Sequence, residues 1–245
     1  MILLLLFISD LPSLQTLSIS SQCFSKQSGV FKLENIKSLS SIKIANSFNL
    51  FTSLQLHSLS LLTEMDVHSG CFNGENGSLT IQSLPRLNSI VITDSCFINY
   101  GELVIQNNRM LSSIKVSQDC FCNSRGRVSI TMNKKLTSID VSNNCFSNYA
   151  IVWKGMHRDD SSIDLPSLTT IAIEKSCNNS PSFQLDSIPK LESLSISYSF
   201  ENSSSLSLSS SLIMLFSYQI FHLFVPFSLV LNASPNRMEQ WNYHS

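Results

Sequence analysis

Apolar residues recur along this chain at fixed intervals, with serine, threonine and asparagine between them. One pattern appears eight times: Leu, three on to Leu, Ile or Met, two on to Ile or Val, then four on to Cys or Phe. The copies begin Leu14, Leu17, Ile19, Cys23-Phe24. The second is Leu39, Ile42, Ile44, with Phe48 one residue early. Then come Leu62, Met65, Val67, Cys71-Phe72 and Leu87, Ile90, Ile92, Cys96-Phe97. Leu111, Ile114, Val116, Cys120-Phe121 and Leu136, Ile139, Val141, Cys145-Phe146 follow. The seventh is Leu168, Ile171, Ile173, Cys177, with Asn178 where Phe is expected; the eighth is Leu191, Leu194, Ile196, with Phe200 one residue early. First leucines lie 25, 23, 25, 24, 25, 32 and 23 residues apart.

A second apolar pair precedes most anchors: Phe31/Leu33, Leu54/Leu56, Leu79/Ile81, Leu103/Ile105, Val128/Ile130 and Phe183/Leu185. Leu206/Leu208 follows the eighth. Alternation at period 2, with β-branched residues, predicts short strands. Each copy of about 24 residues therefore supplies two strands and two turns, too little to bury its own apolar side. Stacked copies align those residues into one continuous core, the logic of a solenoid. The expected fold class is mainly β: a repeat solenoid over residues 4–210.

The Leu-x-x-Ile-x-Ile run resembles the strand segment of leucine-rich repeats. The small-residue-then-Phe step at Cys23-Phe24, Cys96-Phe97 and Cys145-Phe146 resembles the BspA-like, or treponemal, subtype. The usual ladder asparagine is mostly replaced, by Gln22, Gly70, Ser95, Asp119 and Ser176, and kept at Asn144. The resemblance implies a non-catalytic recognition surface, an analogy of fold only.

The ends read differently from the middle. Leu6-x-Ile8-x-x-Leu11-Pro12-x-Leu14 superposes on Leu79-x-Ile81-x-x-Leu84-Pro85-x-Leu87. The N-terminal run therefore reads as the second strand of an earlier copy rather than as a secretory leader, which it otherwise resembles. On this reading the chain begins mid-repeat. Leu212 to Leu231 carries no charge over 20 residues, enough as a helix to cross about 30 Å of hydrocarbon. It predicts a C-terminal hydrophobic helix and single-pass membrane anchoring, with residues 232–245 as a polar tail. A cytoplasmic array is the alternative.

Composition narrows the function. Serine supplies 49 of the 245 residues, charged residues 13%, and the net charge is −1. That balance excludes a basic nucleic-acid binder. Six of seven cysteines fall in one repeat slot, with Cys122 apart, which predicts buried core thiols rather than a disulfide framework or metal ligands. His57, His68, His157, His222 and His244 have no partner at ligand spacing. No phosphate loop or nucleophile elbow appears. The expectation is no enzyme and no cofactor; an enzyme is the most remote reading.

What remains is surface. One outward slot holds Thr16, Ser41, Glu64, Ser89, Ser113, Ser138, Thr170 and Ser193. The next holds Ser18, Lys43, Asp66, Val91, Lys115, Asp140, Ala172 and Ser195. Lys43, Asp66, Ser89, Ser113, Lys115, Ser138 and Asp140 thus form a candidate face for a protein or glycan ligand, with Lys43–Asp66 and Lys115–Asp140 as cross-strand pairs. The 32-residue spacing marks an insertion around residues 148–164. Its Trp153, Lys154, His157, Arg158, Asp159 and Asp160 form a candidate binding loop, since insertions in solenoids become loops. Asn76-Gly77-Ser78, Asn178-Asn179-Ser180 and Asn202-Ser203-Ser204 fit the glycosylation pattern and matter only outside the cell. Open strand edges at both ends predict self-association. A structural array, or a piece of a larger scaffold without its own ligand, is the rival reading.

Overall fold

The computed structural model describes residues 3–123, 125–154, 165–186, 188–197 and 199, and the segments 206–209, 215–219 and 229–232. The first seven strands are β1 (Leu3–Ser9), β2 (Thr16–Ile19), β3 (Ser28–Glu34), β4 (Ser41–Ile44), β5 (Ser53–His57), β6 (Glu64–Val67) and β7 (Gly77–Gln82). Next come β8 (Ser89–Ile92), β9 (Tyr100–Gln106), β10 (Ser113–Val116), β11 (Gly126–Thr131), β12 (Ser138–Val141) and β13 (Tyr149–Lys154). The last are β14 (Thr170–Glu174), β15 (Ser182–Asp186), β16 (Ser193–Ser197), β17 (Leu206–Ser209), β18 (Leu215–Gln219) and β19 (Leu229–Asn232).

Each strand pairs in parallel with the strand two places away. The odd-numbered strands form a ten-stranded sheet and the even-numbered strands a nine-stranded one. Parallel neighbours need a crossover connection. Here the crossover from one odd strand to the next is the intervening even strand, so the chain winds as a coil of about 25 residues per turn. The fold is a mainly β, parallel β-solenoid, and no helix occurs among the described residues.

Strands β3 to β16 turn one face inward. In β3, Phe31 and Leu33 are buried while Lys32 and Glu34 are half-exposed. In β4, Ile42 and Ile44 are buried while Lys43 is exposed. The inward residues of both sheets form one core running from Phe31 to Ile196. A tight turn recurs once per coil, closed by Leu39 N–H to the Ile36 carbonyl, Leu62 to Leu59, Leu87 to Leu84 and their equivalents. Pro12, Pro85, Pro166 and Pro189 sit at its second position, where a fixed φ suits the bend.

Two corners of each coil use left-handed backbone with almost no glycine. Asp10, Asn35, Ser58, Ser83, Asn107 and Met132 each follow an odd strand at φ 54–57°. Phe24, Phe48, Phe72, Phe97, Phe121 and Phe146 turn the other corner at φ 53–59°. The residue two places before each Phe has a positive φ too: Gln22, Asn46, Gly70, Ser95, Asp119 and Asn144. This accounts for the small and amide side chains in the expected ladder slot, because such residues tolerate that region best. Phenylalanine does not. It is held there because its ring stacks on its neighbours, with centroids 5.0–5.3 Å apart from Phe24 to Phe146.

The seventh copy needs a correction. Cys177, not Asn178, takes the phenylalanine slot: its N–H bonds the Cys145 carbonyl as Phe146 N–H bonds Cys120, and its φ is 60°. Ser176 takes the cysteine slot and Lys175 the left-handed position before it. Five cysteines, not six, therefore share the slot. The second copy is one residue short in the same way, and there Ser47 stands in for cysteine.

The candidate membrane segment also differs from expectation. Within Leu212 to Leu231, residues 215–219 and 229–231 are strand, not helix. They extend the even and odd sheets, with Phe216 and Tyr218 in register with Leu194 and Ile196, and Leu229 and Leu231 with Leu206 and Leu208. The rest of the segment, like the tail after residue 232, lies outside the described residues. Among the described residues no helix is long and apolar enough to cross a membrane. An uncharged apolar run carries both readings, and Phe216-x-Tyr218 and Leu229-x-Leu231 keep period 2.

Candidate binding face

The outer face of the even sheet is built by register. Ser41, Glu64, Ser89, Ser113, Ser138 and Thr170 are direct neighbours in successive strands. Beside them run Lys43, Asp66, Val91, Lys115, Asp140 and Ala172. All seven residues read from the sequence as a face therefore lie on one face. Lys43, Lys115 and Asp140 are exposed; Asp66, Ser89, Ser113 and Ser138 are half-exposed. Parallel neighbours sit about 4.8 Å apart, so the columns are evenly spaced.

The expected charge pairs are adjacent in register but do not close as ion pairs. Among the described residues, close ion pairs join Lys32 to Glu34 at 2.6 Å and Arg127 to Glu102. Both are on the odd sheet. Ser41 Oγ instead donates to Glu64 Oε1 at 2.9 Å. Lys43, Asp66, Lys115 and Asp140 thus keep their hydration and are available to a ligand.

A third column, one residue before the even strands, is already committed. Ser40, Thr63, Ser112, Thr137 and Thr169 each donate their hydroxyl to a carbonyl of the preceding coil, at 2.9–3.2 Å. Their backbone N–H groups bond the same carbonyls. These hydroxyls tie coil to coil.

Of the six insertion residues read as a candidate binding loop, only Trp153 and Lys154 are among the described residues. Trp153 is not on a loop. It is an inward residue of β13, 1% exposed, in register with Ile130 and Leu185, with Phe183 edge-on at 5.4 Å. Ile151-x-Trp153 is the apolar pair of the seventh coil, so the tryptophan fills core and cannot anchor a ligand. Lys154 ends the same strand. His157, Arg158, Asp159 and Asp160 lie outside the described residues.

The cysteine column is structural. None of the seven cysteines is in a disulfide; Cys71, Cys96, Cys120, Cys145 and Cys177 are buried, and Cys23 and Cys122 half-buried. Thiols donate to carbonyls of the preceding coil: Cys96 to His68 at 3.1 Å, Cys120 to Thr93 at 3.2 Å and Cys145 to Ser117 at 2.9 Å. Where serine replaces cysteine the same bonds form. Ser47 Oγ lies 2.6 Å from the Ser20 carbonyl, and Ser176 Oγ bonds the Ser142 carbonyl. The neighbouring Cys71 thiol and burial push the Cys96 pKa up; Cys145 and burial do the same for Cys120; burial alone raises Cys177. Thiols held protonated are poor nucleophiles and poor metal ligands. Among the described residues no cluster of three His, Cys, Asp or Glu side chains could hold a metal ion.

One cluster was not read from the sequence. Glu34 and His57 are register neighbours on the odd sheet, with Lys32 bonded to Glu34 and lying 5.3 Å from the Phe7 ring centroid. Burial and then Lys32 lower the His57 pKa, against Glu34. The signal was present as Lys32-x-Glu34, with His57 at the same slot one copy later.

No protein-family model, curated protein or solved structure matches the chain.

Proposed function

We propose that this solenoid is a non-catalytic recognition or adhesion module, of leucine-rich-repeat kind, that binds a protein or glycan through the outer face of the even sheet. The observation that supports this is the register. It lines up the hydroxyls of Ser89, Ser113 and Ser138 with Lys43, Asp66, Lys115 and Asp140 on one regular surface. The face sets two ammonium groups against three carboxylates, those of Glu64, Asp66 and Asp140, so it suits an uncharged or mixed-charge ligand better than a polyanion. A printed glycan array and a panel of immobilised extracellular proteins, probed with the full chain, test it. A bound target should be lost with the Lys43→Glu/Lys115→Glu variant and retained with Arg127→Glu on the opposite sheet. Binding that both variants keep would remove the even sheet from the account.

The rival reading, a structural array without a ligand, is favoured by the committed third column, since hydroxyls there serve stacking. An array of that kind shows no target on either panel.

A further inference from the structure

The turns that lead from odd strands to even ones close alike, from Leu14 N–H on the Leu11 carbonyl to Leu191 N–H on the Ile188 carbonyl. They stack along one edge of the solenoid, and their charge is of one sign. Lys37, Arg86, Arg109, Lys134, Lys135 and Lys190 lie in these turns, six of the chain's 16 basic residues, and none of the turns holds a carboxylate. All six side chains are exposed. None of them makes a close ion pair among the described residues, where such pairs join Lys32 to Glu34 and Arg127 to Glu102. In a chain of net charge −1 this edge is a segregated row of cations.

The row is densest over three consecutive coils. Strands β7, β9 and β11 pair in register, as do β8, β10 and β12, so the turns between them follow one another about 4.8 Å apart. Arg86 and Lys135 take the third turn position, Arg109 and Lys134 the second. Two of these turns also differ from the rest on the inside. The others begin on Leu or Ile, whereas 108–111 and 133–136 begin on buried asparagine. Asn108 Oδ1 accepts from Leu84 N–H at 3.0 Å, and Asn133 Oδ1 accepts from Asn108 N–H at 3.0 Å. This buried ladder ties the three charged turns together from beneath and holds like charges side by side. Neighbouring like charges destabilise a sheet, and a bound polyanion offsets that cost.

Apolar groups interrupt the cations. Met110 and Met132 are 42% and 40% exposed and flank Arg109 and Lys134, and Gln106 Nε2 lies 3.4 Å from Met132 Sδ. A chain of sugar rings has apolar C–H faces between its charged groups and matches this alternation. A single strand of nucleic acid stacks its bases on aromatic side chains, and the turns hold none.

We propose that the edge formed by residues 84–87, 108–111 and 133–136 binds a linear sulfated polysaccharide laid along the solenoid axis, with its sulfates on Arg86, Arg109, Lys134 and Lys135. The site is separate from the even-sheet face and does not depend on it.

Calorimetric titration of the full chain with heparin at low salt tests this, beside desulfated heparin, inorganic polyphosphate and vesicles of phosphatidylserine and phosphatidylcholine. Heparin should bind, and desulfated heparin and polyphosphate should bind much more weakly. The logarithm of the heparin affinity should fall with the logarithm of salt concentration at a slope of about −3, from four contacts at roughly 0.7–0.9 each. Arg109→Gln/Lys134→Gln/Lys135→Gln should weaken heparin binding by about tenfold or more and flatten that slope. Lys26→Gln/Arg125→Gln/Arg127→Gln removes the same net charge from other faces and should keep both. All six substitutions are at exposed positions, and an unchanged circular dichroism spectrum confirms the fold of each variant. A wild type that ignores heparin would overturn the proposal, as would equal loss in the two variants. Polyphosphate binding as tight as heparin would reject the sugar chain, and binding to the vesicles alone would assign the edge to a membrane instead.

Discussion

Phe97 carries the sharpest test of the packing. Its ring is fully buried, stacked 5.3 Å from both Phe72 and Phe121 and edge-on to Tyr100 at 5.0 Å. Truncating a buried phenylalanine to alanine costs about 3–5 kcal/mol. Loss of aromatic pairing places this site toward the upper end of that range. The backbone adds a second effect. Phe97 has φ 58°, and a left-handed non-glycine residue costs roughly 1–2 kcal/mol that glycine does not. Phe97→Gly should therefore destabilise less than Phe97→Ala, by about 1 kcal/mol. In ordinary strand positions the order is reversed. Equilibrium urea unfolding followed by circular dichroism measures both. A loss under about 1 kcal/mol for Phe97→Ala would refute the stacked column. An alanine variant more stable than the glycine variant would refute the left-handed corner.

Other outcomes follow from the same geometry. With a thiol reagent under native conditions, only Cys23 and Cys122 of the seven cysteines should react promptly; all seven should react in denaturant. His57 has its pKa lowered in the fold, so the unfolded chain takes up the proton first. Stability should therefore fall as pH drops below the unfolded value of 6.5, and His57→Gln, matching Gln82 in the next coil, should flatten the melting temperature across that window. Asn133 is buried; its Oδ1 accepts from Asn108 N–H at 3.0 Å and its Nδ2 donates to the Ile105 carbonyl at 2.9 Å. Asn133→Ala strands both buried groups and should cost about 2–3 kcal/mol by urea unfolding; a loss under about 0.5 kcal/mol would contradict the Asn108–Asn133 ladder.

The strands were legible because period 2 and period 24 reinforce each other. Leu-x-x-Ile-x-Ile places an even strand, and pairs such as Leu79/Ile81 place an odd one. The even-sheet face followed directly, since Lys43 and Asp66 hold the same slot. Corner chemistry was not legible. Nothing local marks Phe97 as left-handed; only stacking on Phe72 and Phe121 holds it there. Cys177 was misassigned because its coil is one residue short, and a cysteine at the expected offset hid the shift. Trp153 was misread for a related reason. The extra residues follow β13, so the tryptophan still belongs to the regular pair Ile151/Trp153, 23 residues after Val128/Ile130. Composition placed Trp153 on a binding loop where the period, followed one step further, gives core.

The central claim is that the fold is a stack of interchangeable coils. Deleting residues 88–111 joins Leu87 to Ser112, the equivalent of Asn88, and removes one whole coil. Coils contact chiefly their neighbours, with the Tyr100 hydroxyl donating to the Phe51 carbonyl two coils back as an exception, so the shortened chain should keep the wild-type circular dichroism per residue and unfold cooperatively in urea. Deleting residues 88–99 removes half a coil, exchanges odd and even positions, and should unfold the array from that point. Equal disruption by both deletions would contradict the solenoid.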